Sequence, residues 1–535
     1  MSRNKNLEAK LGSLQVKPQL KAAISLPRPD TTNIQGFEAF SMDKWQRLIS
    51  MLTTLKVQDQ FYKTASDQLT ELKSVVEQCA KEDALLVAKA IVWARCISDG
   101  MRTVSHVATA FLLPYLTSEV RGQLLNLWDK KAQRGGTIYR PDDMYVITQV
   151  LLLTGQKLPR KLVRTFAANL EKLDAYSLLK YKNDVMNLSN LVHPNPGKSK
   201  TVEYNGEQVS VIEAIMKGYP VSADTWEVAQ SDAGQKVAQA VKEGRITESE
   251  AKELLYEAKN ENWNALMTEG KLGILAAIRN IRNILKTGTS TTIDLLCNLV
   301  VNGELIRKGK VLPYQLDLAT QIVLDEFSSI DSRKIITALG RGYEAAIPNL
   351  AEVMTGRNAV FLDVSGSMNT AMTDPITKKR IGNCLQKGAL IAATIAKATN
   401  ADIIVFDGNA RRFQYNPSTD VWTLAKSLQL SGGSTNMAAP WDLITREKAQ
   451  YDRVVVISDN EANGNSQYSA YKTYIEKVAD PYVYSIDLAA YGTHILKGEK
   501  LRYYYGYGYE WMNQIMKGEV KLVDILDEIR NVNLG

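Results

Sequence analysis

From residue 40 to about residue 345, apolar residues recur every three or four positions, which predicts helix after helix. In Ala84–Ile97 the residues Leu86, Ala90, Trp93 and Ile97 recur at helical spacing, and only Lys89 and Arg95 are charged in the helix body, so this helix is expected to be largely buried. Short polar breaks at Arg134-Gly135-Gly136, Gly155-Gln156 and Lys286-Thr287-Gly288 separate such segments. The pattern suits antiparallel helix pairs stacked as in an α-solenoid, with repeats in structure rather than in sequence. Residues 1–35 read as a loose N-terminal arm. Residues 194–225, with Pro194, Pro196, Gly197 and Gly206, read as an irregular connection, and the charged residues 226–262 as solvated helices.

Near Arg357 the period changes. Asn358–Val364, Ala401–Phe406, Arg453–Ser458 and Tyr482–Leu488 are short β-branched and apolar runs, with helical segments such as Gly382–Thr399 between them. This alternation predicts a parallel sheet covered on both faces, with ligands beyond the carboxyl ends of its strands. The expected organisation is an arm (1–35), a helical region (36–350) and an α/β domain (355–535).

Composition narrows the class. Of 535 residues 45% are apolar, enough for real cores and too many for wholesale disorder. Without an apolar run of about 18 residues no membrane span is expected. The start, Met1-Ser2-Arg3-Asn4-Lys5-Asn6, lacks the apolar stretch of a secretory signal. Cys79, Cys96, Cys297 and Cys384 are widely spaced, which fits buried thiols in a reducing, cytoplasmic setting. The three histidines, His106, His193 and His494, are too few for a His-rich metal centre. The net charge is +7, of which residues 357–535 carry only +1, so a polyanion-binding surface is expected in the helical part.

Candidate chemistry lies at the predicted strand ends. The first strand runs into Asp363-Val364-Ser365-Gly366-Ser367, a later loop reads Ser431-Gly432-Gly433-Ser434-Thr435-Asn436, and the third strand ends in Ser458-Asp459-Asn460. If all three reach one sheet edge, Asp363, Ser365, Ser367, Thr435 and Asp459 form an all-oxygen set with two carboxylates, which suits Mg²⁺. The plain alternative is a helix cap at Asp363 with the serines filling a turn. The order D-x-S-x-S, then Thr, then Asp resembles the metal-ion-dependent adhesion site of von Willebrand factor A domains. That resemblance implies that Ser365 and Ser367 bind the metal directly, that Asp363 and Asp459 act mainly through waters, and that an open position accepts an anionic oxygen from a partner. An enzyme is not expected: Ser365 is in no G-x-S-x-G elbow, no base lies near it in sequence, and there is no phosphate-binding G-x-x-x-x-G-K-[ST] loop. Gly506-Tyr507-Gly508-Tyr509 reads as a tyrosine-rich surface loop.

Two predicted helices carry rows of cations. Lys157, Arg160, Lys161 and Arg164 share one side, opposite Leu162, Val163, Phe166 and Leu170; Arg279, Arg282, Asn283 and Lys286 repeat the spacing opposite Ile274, Ile278, Ile281 and Leu285. Such rows either are solvated faces or follow nucleic-acid phosphates, with arginine also able to stack on bases.

Several stretches resemble the TROVE module of the Ro 60-kDa autoantigen family, including its bacterial members. They are Gly100-Met101-Arg102-Thr103-Val104-Ser105-His106; Lys157-Leu158-Pro159-Arg160-Lys161-Leu162 leading to Lys180-Tyr181-Lys182; Met186–Leu191 with Val192-His193-Pro194-Asn195-Pro196; Trp263-Asn264-Ala265-Leu266 to Arg279-Asn280-Ile281-Arg282-Asn283; and Leu312-Pro313-Tyr314. In that family the module precedes a von Willebrand A domain, as here. The resemblance implies a ring of HEAT-like α-helical repeats followed by a Rossmann-like A domain. It implies a non-catalytic RNA-binding protein that takes small noncoding Y RNA on the outside of the ring and single-stranded 3′ ends of misfolded RNAs in its hole. Lys157, Arg160, Lys161, Arg164, Lys180, Lys182, His193, Arg279, Arg282 and Lys286 are then the expected RNA contacts. A 3′-exonuclease tethered through the RNA is a further implied partner; no membrane is expected, and a monomer is. The runner-up reading is a Mg²⁺-dependent adhesion module for an acidic protein partner. The segment 226–262 is longer than the family pattern, and the loop at Gly432-Gly433-Ser434-Thr435 has one residue more than the vertebrate pattern.

Overall fold

The computed structural model describes residues 28–33, 35–54, 65–98, 102–221, 237, 239–243, 245–311, 313–347, 350–369, 371–373, 380–489, 493–505, 515 and 522–535. Strands β1 (Thr31–Thr32) and β2 (Glu38–Ser41) lead into the first helices, α1 (Lys44–Thr54), α2 (Ala65–Val92), α3 (Arg102–Leu112) and α4 (Ser118–Leu124). The small hairpin β3 (Trp128–Asp129) and β4 (Arg134–Gly135) follows, then α5 (Pro141–Leu153), α6 (Arg160–Lys172), α7 (Ala175–Lys180) and α8 (Lys182–Val192). Successive helices pack on one another: α1 on α2, α2 on α3, α3 on α5, and α6 on α8. Gly136 must be glycine, since a Cβ there would run into the carbonyl oxygens of Gln123, Leu124 and Asn126.

The helix expected over Ala84–Ile97 is present. Asp83 leaves helical geometry inside α2 and caps a new start, accepting from the Leu86 N–H at 2.8 Å. Its last turn widens to a π-helix over Trp93–Ile97, after which Ile97 is exposed while Leu86, Ala90 and Trp93 are buried. The connection expected over 194–225 is more regular than its prolines and glycines implied. It holds the hairpin β5 (Thr201–Tyr204) and β6 (Glu207–Ser210), then α9 (Val211–Met216) capped by Ser210. Asn205 and Gly206 both have positive φ, the turn that such a two-residue hairpin requires.

The second run of helices is α10 (Glu248–Thr268), α11 (Ile274–Arg279), α12 (Ile281–Thr287), α13 (Ser290–Val300), α14 (Gly303–Lys308), α15 (Pro313–Glu326) and α16 (Ile330–Ala346). The charged segment 226–262 lies partly outside the described residues; within α10 its exposed face gives way to buried Trp263, Leu266 and Met267.

The α/β domain has β7 (Asn358–Asp363), the hairpin β8 (Ala371–Thr373) and β9 (Arg380–Asn383), helix α17 (Cys384–Thr399), β10 (Asp402–Phe406) and β11 (Ala410–Phe413). Then come α18 (Val421–Ser427), α19 (Ala439–Arg446), β12 (Arg453–Ser458), α20 (Gln467–Lys477), β13 (Tyr482–Asp487), β14 (Thr493–His494), β15 (Leu501–Tyr505) and α21 (Leu522–Arg530). The four strands expected from the sequence are all present and parallel. The main sheet has the order β11-β10-β7-β12-β13-β15 with only β11 antiparallel. This is the doubly wound order whose switch point lies between β7 and β12. Strands β11 and β15, at the two edges, were not legible: Ala410-Arg411-Arg412-Phe413 and the Tyr-rich Leu501–Tyr505 lack a continuous apolar run.

The helices leave the α/β domain at one side and return to it at another. At the start, β2 pairs with β14, Asn33 donates to the Ala462 carbonyl at 3.0 Å, and α1 packs on β15. At the other end α13, α15 and α16 share one hydrophobic core with α17 and α18. There the Lys387 ammonium meets the Asp317 carboxylate at 2.5 Å, with both side chains less than a tenth exposed. Tyr343 and Thr394 exchange a hydroxyl hydrogen bond at 2.7 Å. The earlier helices form a separate core, completed by Ile529, Val532 and Leu534 at the C-terminus.

Candidate nucleic-acid interface and cation site

The first strand-end cluster forms where the sheet topology puts it. Asp363 closes β7 and Asp459 follows β12, the two strands that flank the switch point, and both are buried. The Asp363 carboxylate accepts the Ser365 N–H at 2.8 Å and the Ser458 hydroxyl at 2.7 Å. The Ser365 and Ser367 hydroxyls stand 3.3 Å apart, and Ser367 also bonds to Asp459. The Gly366 N–H donates to the Gly433 carbonyl at 2.9 Å, which draws the glycine loop onto the turn. Gly432 is obligatory there, because a Cβ would meet the Val364 carbonyl and the Asp407 side chain. Thr435 is buried and fixed through Asn463, which accepts its N–H at 2.8 Å. All five predicted residues thus converge on one edge of the sheet.

The electrostatics of the cluster are uneven. Burial, followed by the neighbouring Asp459, pushes the Asp363 carboxyl up to about 7, against the pull of the Ser458 and Ser365 hydrogen bonds. Burial likewise raises Asp459. Two enclosed carboxylates with hydroxyls around them are a donor set for a hard divalent cation, which would relieve their mutual repulsion. Among the described residues no group of three His, Cys, Asp or Glu side chains could hold a metal, so any ion here depends on the serine and threonine oxygens. His494 does not serve the cluster as a base; its ring is buried and stacked on Tyr503 at 3.3 Å between centroids.

A cleft of about 970 Å³ lies between the two helical runs. One wall carries Arg102, Arg140, Asp142, Tyr176, Lys180 and Tyr181; the other carries Lys271, Ile274, Arg279 and Asn280. The Arg140 guanidinium lies 5.4 Å from the centre of the Tyr181 ring and donates to its hydroxyl at 2.9 Å. The Lys180 ammonium lies 5.5 Å from the Tyr176 ring, and Tyr176 is half exposed. Cations beside accessible aromatic faces are what a single strand of nucleic acid needs for phosphate contact and base stacking.

Comparison with known proteins bears on this architecture. Residues 198–339 match the TROVE domain model and residues 357–482 match the Ro60 vWA domain model, in that order along the chain. The chain belongs to the TROVE–Ro60 family. Among solved structures it is similar to the Ro (RSR) protein of Deinococcus radiodurans, with 17% identity and a TM-score of 0.53 over 89% of this chain and all of that one. At that identity the likeness is one of fold. A much weaker likeness, with TM-score 0.21 and 12% identity, is to proximal thread matrix protein 1 of the mussel byssus, over 38% of this chain and 52% of that one. No curated protein matches the chain.

In this Ro-family chain the predicted RNA contacts other than Arg282 and Lys286 separate into three groups. Lys180 and Arg279 line the cleft. Arg160, Lys161 and Arg164 ride on α6, whose Leu162, Phe166 and Leu170 are buried as expected, while Lys157 precedes the helix, which begins after Pro159. Lys161 lays its stem over Gly122, and Arg160 and Arg164 are exposed. None of these four has an ion-pair partner among the described residues, so the row is a free cationic face outside the cleft. Lys182 and His193 are exposed at the two ends of α8; His193 adopts φ 51° as its C-cap.

The second row departs from the expectation. Residues 274–287 are two short helices broken at Asn280, so Arg279 ends one and Arg282 begins the next. Arg282 is committed to Glu326 at 2.5 Å, and Lys286 stays exposed. The residues that sequence reasoning missed are Arg102, Arg140, Tyr176, Tyr181 and Lys271. Arg102 and Tyr181 sat inside the stretches that carry the family resemblance; nothing in the local pattern singled out Arg140, Tyr176 or Lys271. His106 is a buried helix residue, 3.4 Å from the Thr137 carbonyl.

Proposed function

We propose that the chain is a non-catalytic RNA-binding scaffold that holds single-stranded ends of misfolded RNA in the cleft between its helical runs. Small noncoding RNA of the Y type is proposed to lie along the free cationic row of α6 at Arg160, Lys161 and Arg164. The observation that carries the reading is the cleft itself, where Lys180 on one wall and Arg279 on the other accompany the exposed Tyr176 and the half-buried Tyr181. Most affinity would come from phosphate contacts and fall steeply with salt. Reversing Lys180 and Arg279 together is expected to weaken binding of a single-stranded oligonucleotide at least about tenfold in a gel-shift titration, and reversing Lys161 and Arg164 to weaken binding of a structured small RNA. Unchanged affinity in both would overturn it. Labelled RNA incubated with protein and Mg²⁺ is expected to stay uncleaved. A 3′-exonuclease recruited through the bound RNA belongs to the same reading.

The strand-end cluster supports a second proposal: Mg²⁺ bound by Asp363, Ser365, Ser367, Thr435 and Asp459, leaving a position for an anionic oxygen of a partner. The enclosed carboxylate pair favours it. Calorimetric titration with Mg²⁺ should show one binding event that Asp363→Ala abolishes. If Asp363→Ala leaves RNA affinity intact and removes an acidic protein partner, the centre serves adhesion.

A further inference from the structure

The cleft wall that offers Arg102 and Arg140 is not simply positive. Arg102 forms ion pairs with both Asp142 and Asp143, each at 2.6 Å, and Arg140 reaches Asp142 at 2.8 Å. Two guanidinium charges are thus matched by two carboxylates, and Lys271 is paired with Glu269 at 3.1 Å, so net attraction for phosphate must come from Lys180 and Arg279. Asp143 is fully buried. As the third residue of α5 it also accepts the Tyr139 N–H at 2.9 Å and the Arg140 N–H at 3.2 Å, which ties it to the backbone at the helix start. His106 closes the network from behind, its Nε2 3.6 Å from Asp143. At the front, Arg140 reaches Tyr181. A surface meant only to collect phosphate would not spend two acids on its arginines. Two acids anchored to a helix start do fix where those arginines point.

We propose that Asp142 and Asp143 are positioning residues of the cleft: they hold Arg102 and Arg140 in a preset orientation, beside the Tyr181 ring, in which the guanidinium groups meet an RNA strand by hydrogen bonding and stacking rather than by net charge. This rests on the cleft being the RNA site. Fixed planar donors lose less conformational freedom on binding than free surface cations do. Orientation and charge make opposite predictions for one substitution. Asp142→Asn adds one positive charge to the cleft, so charge alone demands tighter binding. Positioning demands weaker binding, because both guanidiniums lose their shared anchor.

The test is titration of the full-length protein with a fluorescent single-stranded oligoribonucleotide over a range of salt concentrations. Asp142→Asn and Arg140→Lys are each expected to weaken binding about tenfold at every salt concentration, with the slope of log affinity against log salt no lower than the parent's because no cation is removed, and with Asp142→Glu recovering most of the loss. A merely structural role would lower the melting temperature along with the affinity, whereas positioning lowers the affinity of Arg140→Lys with the melting temperature unchanged. Arg279→Gln serves as the control for the cleft. If Arg279→Gln weakens binding while Asp142→Asn binds as tightly as the parent or more so, the positioning role is wrong and the cleft reading stands. If Arg279→Gln also changes nothing, both are wrong. Should Asp142→Asn fail to fold, Arg140→Lys, which keeps the charge and removes the planar fork, decides by the same criteria.

Discussion

His106 shows how far one residue's surroundings decide its chemistry. Alone in the sequence it could be a ligand, an RNA contact or a core residue. Burial pushes its pKa down to about 4, although the Asp143 carboxylate opposes this. The folded state therefore keeps it neutral while an unfolded chain takes up a proton below about pH 6.5. Stability should fall as pH drops from about 6.5 towards 4, by at most about 3 kcal/mol from this group, and the group should add no further loss below that window. Urea unfolding at a series of pH values checks this: His106→Gln should make the dependence in the window shallower. An equally steep curve in the variant would assign the effect elsewhere, with His494, also buried and held well below its usual value, the next group to test.

The enclosed pair Asp363 and Asp459 gives the opposite kind of prediction at the same scale. Without metal, Asp363→Asn removes a like-charge contact and should raise the melting temperature slightly. With Mg²⁺ at a hundred times its dissociation constant the parent should gain about 2.7 kcal/mol and the variant nothing. Differential scanning calorimetry with and without Mg²⁺ reads both signs. Equal gains in parent and variant would remove the ion from this site.

At the scale of elements, the sequence was most legible where one period ran unbroken. Strands β7, β10, β12 and β13 were found within a residue or so, because each is buried on both faces and so reads as a continuous apolar run. The edge strands escaped, since arginines and tyrosines interrupt their apolar runs. The row at 279–286 was misread as one helix because residue types alone do not reveal a break at Asn280, where φ is −100° and ψ 7°. That break has a measurable consequence. Arg282 spends its charge on Glu326, whereas Arg279 faces the cleft, so Arg279→Glu should weaken single-strand binding about tenfold and Arg282→Glu by far less. Comparable losses from both would mean that the ion pair opens when RNA binds. The convergence of the five oxygen donors was legible from motif order; the cleft was not, because its two walls come from separate stretches of the chain, Arg102 to Tyr181 and Leu266 to Gly309.

At the scale of the whole molecule, the helical run is held to the α/β domain at both ends, and the two attachments differ in kind. Strand pairing of β2 with β14 anchors the start. A shared core with the buried Lys387–Asp317 pair anchors the return. Removing one partner of a buried pair leaves an uncompensated charge, so Asp317→Leu alone should destabilise by about 3–5 kcal/mol, while the double change with Lys387→Met should recover most of it. Chemical unfolding of the single and double variants measures the difference; additive losses would mean that the two side chains stabilise the junction separately.

The central claim is that a single RNA strand occupies the cleft between the two helical runs. Photocrosslinking a single-stranded oligoribonucleotide to the full-length protein, with the adducts mapped by mass spectrometry, tests it most directly. The account predicts adducts at Tyr176 and Tyr181 that vanish at high salt. Adducts confined to the α/β domain or to the outward face of α6 would contradict it.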